Sequence, residues 1–338
     1  MPKSVAAFGE VMMRLKTPGR DLLTQSDQLQ VSYSGSGVNV LAALARFGHS
    51  SALVTTLPGN AVGDAALAGI ARLGLSPSLV RRGGDYIGMY FLEEGFGPRP
   101  SRVTYGNRLA SSFNTAPAGA YDFRAVARAV DAVHLCGISL AMNDTVRAHA
   151  VELAEAVKAE GGTVIFDCNF RPGLWGENGH ALARPWYEKM LHLADIALMN
   201  ERDAVYTLGM SASGTGRDEQ LRELIPRVAA EYGLAAAAGT HRYVGTDGLH
   251  SLCGYLYTPQ GFSFSETYTF PVHDRIGAGD AFASGIIHGL LEGQPPEWTV
   301  AFAASASVLA HTISGDTPLT SEAQILRFMA GAGADLER

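Results

Sequence analysis

Asp274-Arg275-Ile276-Gly277-Ala278-Gly279-Asp280-Ala281-Phe282 is the stretch whose reading decides the fold. Three small residues, Gly277, Ala278 and Gly279, precede an acid and run straight into a small-residue helical pattern. Backbone without bulky side chains lets several N–H groups converge on one point, and a helix N-terminus adds the positive end of its dipole. Such a nest holds an anion, or a group on which negative charge develops. An acid in the first turn repels that anion, so Asp280 needs a chemical task of its own. Accepting a proton from a hydroxyl as a phosphoryl group arrives is such a task.

Outward from this stretch the chain alternates β-rich runs with helical periodicity. Strand-like runs fall at Val5–Phe8, Ala52–Thr56, Ala132–Leu135, Thr163–Asp167, Ile196–Met199 and Leu234–Ala238. Between them, apolar residues recur with helical spacing at Val38–Phe47, Asp64–Leu73, Phe123–Val130, Thr145–Ala159, Ala181–His192 and Leu221–Tyr232. Strands alternating with helices imply a parallel sheet covered on both faces, with ligands beyond the carboxyl ends of its strands. Residues 11–36 and 86–113 break the rhythm. Gln30–Tyr33, Ile87–Leu92 and Arg102–Tyr105 alternate without an intervening helix pattern and predict a small separate sheet, a lid over the core formed by 1–10, 37–85 and 114–338. An antiparallel extension of the main sheet is the competing arrangement. Residues 249–270 read as two more strands around Pro259–Gly261, and 209–217 as a surface loop.

The 338 residues suffice for a full α/β core, and 47% hydrophobic against 17% charged residues mark an ordered globular chain. A net charge of −7 with no basic run argues against nucleic-acid and anionic-membrane partners. No signal peptide or membrane-length apolar run is visible, and three scattered cysteines suit reduced thiols in a cytoplasmic protein. The ten histidines form no metal-binding pattern.

There is no GxxxxGK[ST] loop, so nucleotide phosphates must be held by the 274–282 stretch. With Ser34-Gly35-Ser36-Gly37-Val38-Asn39 leading into a helix that ends at Gly48, this stretch resembles the two signatures of the PfkB, ribokinase-like family of sugar kinases. The resemblance runs over nearly the whole chain and implies a three-layer α/β sandwich with a mostly parallel central sheet and a small β-sheet lid. It makes Asp280 the catalytic base and the backbone of Gly277, Ala278 and Gly279 the anion hole, and it puts Gly35, Ser36 and Asn39 on sugar hydroxyls. ATP and Mg²⁺ are the implied co-substrate and cofactor. The family's N-x-x-E appears as Asn200 and Asp203, tied to Mg²⁺ and phosphate through water, with Asn200 as a plain helix cap the competing role. Thr240 and Arg242, after the strand at 234–238, stand where relatives carry a nucleotide-binding stretch, although a surface arginine fits Arg242 too. Asp274 either helps hold a monovalent cation such as K⁺ or caps a turn.

Within the family the chain looks most like 2-keto-3-deoxygluconate kinases. The resemblance is carried by Phe8-Gly9-Glu10, by His134-Leu135-Cys136-Gly137-Ile138, by Asp167-Cys168-Asn169-Phe170-Arg171 with Leu174-Trp175, by Gly88-Met89-Tyr90 and by Arg102 with Tyr105. A sugar acid carries a carboxylate, which a guanidinium fork grips with two hydrogen bonds. Arg171 just past a strand end suits that task; a salt bridge to a neighbouring acid is its alternative. The resemblance implies lid contacts from Tyr90, Arg102, Tyr105 and Arg108, with Asn107 the rival of Arg108, and a further contact from Asn169. Phosphorylation of a primary hydroxyl to the 6-phosphate is the expected reaction. A kinase of a neutral sugar or nucleoside, and a sugar sensor without activity, are the other readings. Exposed lid edges would be protected by pairing two lids in a dimer.

Overall fold

The computed structural model describes residues 3–331. Its strands are β1 (Ser4–Phe8), β2 (Met12–Lys16), β3 (Gln30–Ser34), β4 (Ser50–Leu57), β5 (Val80–Arg82), β6 (Gly88–Glu93), β7 (Arg102–Gly106), β8 (Ala132–Cys136), β9 (Thr163–Asp167), β10 (Ile196–Leu198), β11 (Ala236–Val244), β12 (His250–Thr258), β13 (Gly261–Phe264) and β14 (Tyr268–Phe270). A ten-stranded sheet runs β13-β12-β11-β10-β9-β8-β1-β4-β5, with β14 beside β12. From β11 to β5 all pairs are parallel, and β12 to β14 add an antiparallel edge.

The central strands are buried on both faces, and their alternation sorts side chains into two cores. In β1, Ala6 and Phe8 face one core while Val5 and Ala7 face the other; in β9, Val164 and Phe166 oppose Ile165. Helices Phe123–Ala129, Asp144–Ala159, Gly179–Leu193 and Arg217–Tyr232 cover the first face. Ser36–Arg46, Ala61–Arg72, Ala278–Leu291, Pro296–Ala310 and Glu322–Met329 cover the second. This is the ribokinase-like three-layer sandwich.

A separate four-stranded sheet, in the order β3-β2-β6-β7, forms the lid. Two antiparallel hairpin pairs, β2–β3 and β6–β7, join through a parallel β2–β6 pair. Its underside places Met12, Tyr90 and Leu92 against Ile276 of the Gly-rich stretch.

One expected boundary fails. The strand set at Leu234–Ala238 starts at Ala236 and continues through Thr240 and Arg242 to Val244, pairing with β12 from Ala237 onward. Gly239 is no chain break: a Cβ there would lie 2.2 Å from the Met199 carbonyl, so glycine permits a close approach inside the sheet. Thr240 and Arg242 therefore lie in a strand, not in a loop after one.

Candidate active site

Beyond the carboxyl ends of β1, β8 and β9, under the lid, lies a cavity of about 350 Å³. Gly35, Ser36, Asn39, Tyr90, Tyr105, Arg108, Asn169, Arg171, Gly277 and Asp280 line it. The two glycine-rich stretches thus meet in space, each opening a helix that points its N-terminus at the same space. Gly35 is required by contact, since a Cβ would lie 2.2 Å from the Glu10 carbonyl. Gly277 is required by conformation and contact. It is left-handed, with φ +83°, and a Cβ would lie 1.6 Å from the Asp316 carbonyl. Ala278 and Gly279 begin the helix behind it.

Asp280 accepts hydrogen bonds from Ser36 Oγ at 2.8 Å and from Asn39 Nδ2 at 2.7 Å. Burial pushes its pKa up to about 6, while those two donors and the Arg171 guanidinium hold it down. Asp167, at the end of β9, is pushed up to about 7 by burial and by the Asp280 charge, again with Arg171 opposing. Ser36 and Asn39, expected on sugar hydroxyls, line the cavity and also fix the orientation of this carboxylate.

Two arginines that look alike in sequence differ in what they face. Arg108 Nε donates to Glu10 Oε2 at 2.8 Å, and the pair is almost fully buried. Ser111 Oγ at 2.7 Å and Asn114 Nδ2 at 3.2 Å both donate to Glu10 Oε1. The guanidinium of Arg171 makes no hydrogen bond or salt bridge among the described residues, although its charge is felt at both Asp280 and Asp167. Asn107 adopts a left-handed turn and does not line the cavity, whereas Arg108 does.

Arg102 needs correction. Val103 and Tyr105 of β7 line the cavity; Arg102 does not, because neighbours in a strand face opposite sides and Arg102 lies an odd number of positions from Tyr105.

Asn200 and Asp203 hold each other. Asn200 Oδ1 accepts from Arg202 N at 2.9 Å, and Asp203 Oδ2 accepts from Asn200 N at 2.9 Å. Burial raises Asp203 to about 6. Asp280, Asp167 and Asp203 supply hard oxygen donors, and no group of three acidic, histidine or cysteine side chains among the described residues converges as a metal chelate. Carboxylate oxygens are the donors Mg²⁺ takes, and it keeps much of its water. Arg242 hydrogen-bonds His250 Nδ1 at 2.8 Å, and burial and the neighbouring charge of Arg275 lower its pKa. Mutually repelling cations beside the Gly277 loop suit an anionic ligand. Asp274 accepts from Ile276 N at 3.1 Å and Gly315 N at 3.2 Å, and lies 3.6 Å from Arg14. Its turn-capping role is present in full, and the neighbouring cation is a side chain.

Sequence reasoning missed Asp316, Arg14 and Arg275. Asp316 lines the cavity from the loop after helix Pro296–Ala310 and accepts from Ser34 Oγ at 2.9 Å and from Tyr90 OH. Burial, and then the Asp316 charge, raise the Tyr90 pKa. No motif marks that loop, so nothing short of the fold could have found it.

A structure from Enterococcus faecalis assigned as a 2-keto-3-deoxygluconate kinase is 41% identical, with a TM-score of 0.95 over 99% of each chain. The 2-dehydro-3-deoxygluconokinase structure from Thermotoga maritima is 31% identical, with a TM-score of 0.92 over 98% of this chain and 99% of that one. A 2-dehydro-3-deoxygalactonokinase from Haloferax volcanii is 28% identical over the full length of both chains. The model of the pfkB family of carbohydrate kinases matches residues 2–322, and the chain belongs to that family.

Proposed function

We propose that this chain transfers the γ-phosphate of ATP to the 6-hydroxyl of 2-keto-3-deoxygluconate or its galacto epimer. The observation that carries this reading is the presence, in one cavity, of the Asp280 carboxylate and the Arg171 guanidinium, which makes no hydrogen bond or salt bridge among the described residues. A neutral sugar brings that guanidinium no anion; a sugar acid brings one. The names of the relatives at 41% and 31% identity support the same substrate class.

In this reading Arg171 anchors the substrate carboxylate while Tyr90, Tyr105 and Arg108 close over the sugar. The lid, residues 11–36 and 86–113, excludes water from the phosphoryl donor. The sugar oxygen forms a bond to Pγ as the bond from Pγ to the ADP oxygen breaks, and Asp280 takes the hydroxyl proton. The Gly277–Gly279 backbone faces the charge on the transferred group. Arg242 and Arg275 meet the nucleotide phosphates, and Asp167, Asn200 and Asp203 are the residues that would hold Mg²⁺. Bound Mg²⁺ neutralises phosphate charge.

Among the described residues no helix is long and apolar enough to cross a membrane, and the proposed setting is the cytoplasm, where ATP is abundant. Val31 is 57% exposed on edge strand β3 of the lid, which supports a lid-to-lid dimer; light scattering of the purified chain tests it. A coupled ADP-release assay with both keto-acid epimers, fructose and ribose tests the substrate. The keto acids should give the highest kcat/KM. A higher value for either neutral sugar overturns the acid, and binding of the acid without ADP release overturns the kinase.

A further inference from the structure

The alternation of β2 turns Met12, Arg14 and Lys16 toward the core. Met12 meets the cavity, and Lys16 Nζ donates to Ser314 Oγ at 3.3 Å. Arg14, between them, is 5% exposed. Its Nε lies 3.2 Å from Asp316 Oδ1 and its Nη2 lies 3.6 Å from Asp274 Oδ2. Both carboxylates are themselves buried, at 6% and 8% exposure. Two buried carboxylates around one point need a positive charge between them, or one must take up a proton.

These carboxylates also shape the anion hole from behind. Asp274 fixes the N–H groups of Ile276 and Gly315, and the Asp316 backbone carbonyl lies against Gly277. The family resemblance places a monovalent cation near Asp274. The donor set here does not suit one. Each Asp274 oxygen already accepts a backbone N–H, and an added cation would lie against the Arg14 charge.

We propose that Arg14 is the built-in counter-cation of the anion-hole loop, so that a docked lid, and not a dissolved monovalent ion, holds the loop in its working shape. Arg14 is a positioning residue, acting on the reacting atoms through Asp274, Asp316 and the Gly277 backbone. Because it sits on the lid, lifting the lid withdraws the charge and leaves the two acids to repel each other. The loop is then ordered only when the cavity is covered, which protects ATP from hydrolysis in the open state.

The kinetic part of the test rests on the kinase reading, and the melting part does not. Wild-type turnover and melting temperature are measured in KCl and in choline chloride at equal ionic strength. Both should be the same in the two salts. Arg14→Met, which keeps the stem and removes the charge, should lose roughly 100-fold in kcat, the scale of an ångström-sized misplacement of catalytic groups. Part of that loss should return, saturably, with KCl or guanidinium chloride. Arg14→Lys should stay closer to wild type in kcat. A wild-type rate or melting temperature that rises specifically with K⁺ overturns the proposal. So does wild-type kcat in Arg14→Met, or an equal loss in the Lys and Met variants. If Arg14→Met does not fold, the wild-type salt comparison and Arg14→Lys still decide. If no sugar is phosphorylated at all, the kinase reading fails while the melting comparison still judges Arg14.

Discussion

Replacing Asp280 by Asn tests the proposed chemistry and the electrostatics of the site together. Burial lifts this carboxyl from 3.8 to about 6. A shift of about two units corresponds to about 3 kcal/mol between the two protonation states. The sign follows from proton binding. Between those two pKa values the folded state holds the proton that the unfolded state has released, so stability falls as pH rises through the window. At pH 7 the charged Asp280 therefore costs the fold up to about 3 kcal/mol. Asn removes the charge but turns one amide N–H₂ toward a donor, returning about 1 kcal/mol of lost hydrogen bonding from Ser36 or Asn39. The expected net gain is on the order of 1–2 kcal/mol at pH 7, seen as a Tm higher by a few degrees. It should vanish in melts below about pH 4, where wild-type Asp280 is protonated in both states. Activity should move the other way, with kcat down by roughly 10²–10⁴ and KM little changed. A kcat within roughly threefold of wild type in the coupled ADP-release assay removes Asp280 as the base. A Tm lowered equally at both pH values refutes the claim that burial loads this site. For the wild type the same pKa sets an acid limb, with kcat/KM falling as pH drops through about 6.

Arg171→Ala should raise KM for the sugar acid roughly 10- to 100-fold, the worth of a charge-assisted pair, with kcat much less affected; an unchanged KM removes the carboxylate argument. Gly277→Ala forces a Cβ to within 1.6 Å of the Asp316 carbonyl at φ +83°, so the loop must shift. The soluble variant should retain its fold by circular dichroism yet lose activity by roughly 100-fold, and normal turnover would show that the loop geometry does not govern catalysis. Arg108→Met leaves Glu10 buried without its partner and should cost about 3–5 kcal/mol at neutral pH in denaturant titrations. Burial already raises the Glu10 pKa, so its protonated form tolerates the loss better and the deficit should shrink as pH falls. An equal deficit at pH 5 and pH 8 would mean that charge is not what the pair contributes.

How much of this was legible in the sequence depended on whether the information was local. The parallel core was legible because β1, β8 and β9 are short apolar runs between amphipathic helices, and the lid because its strands alternate with no helix between them. The facing of Arg102 was legible too, through the odd spacing from Tyr105, but spacing has to be applied to a strand whose edges are known. The end of the strand expected at 234–238 was not legible, because glycine can mark a chain break or a close approach, and only the Met199 carbonyl behind Gly239 tells which. The charges were the hardest part. Arg14, Arg108 and Arg171 are equivalent as letters, yet Arg14 and Arg108 lie at ion-pair distance from buried carboxylates while Arg171, among the described residues, makes no such pair. Which arginine remains available is set by partners such as Asp316, which no local pattern connects to β2. Specificity in this site thus rests less on which cations the chain contains than on which of them the fold has already neutralised. For that reason Arg171, and not the lid arginine Arg108, is where a change of substrate charge should register first.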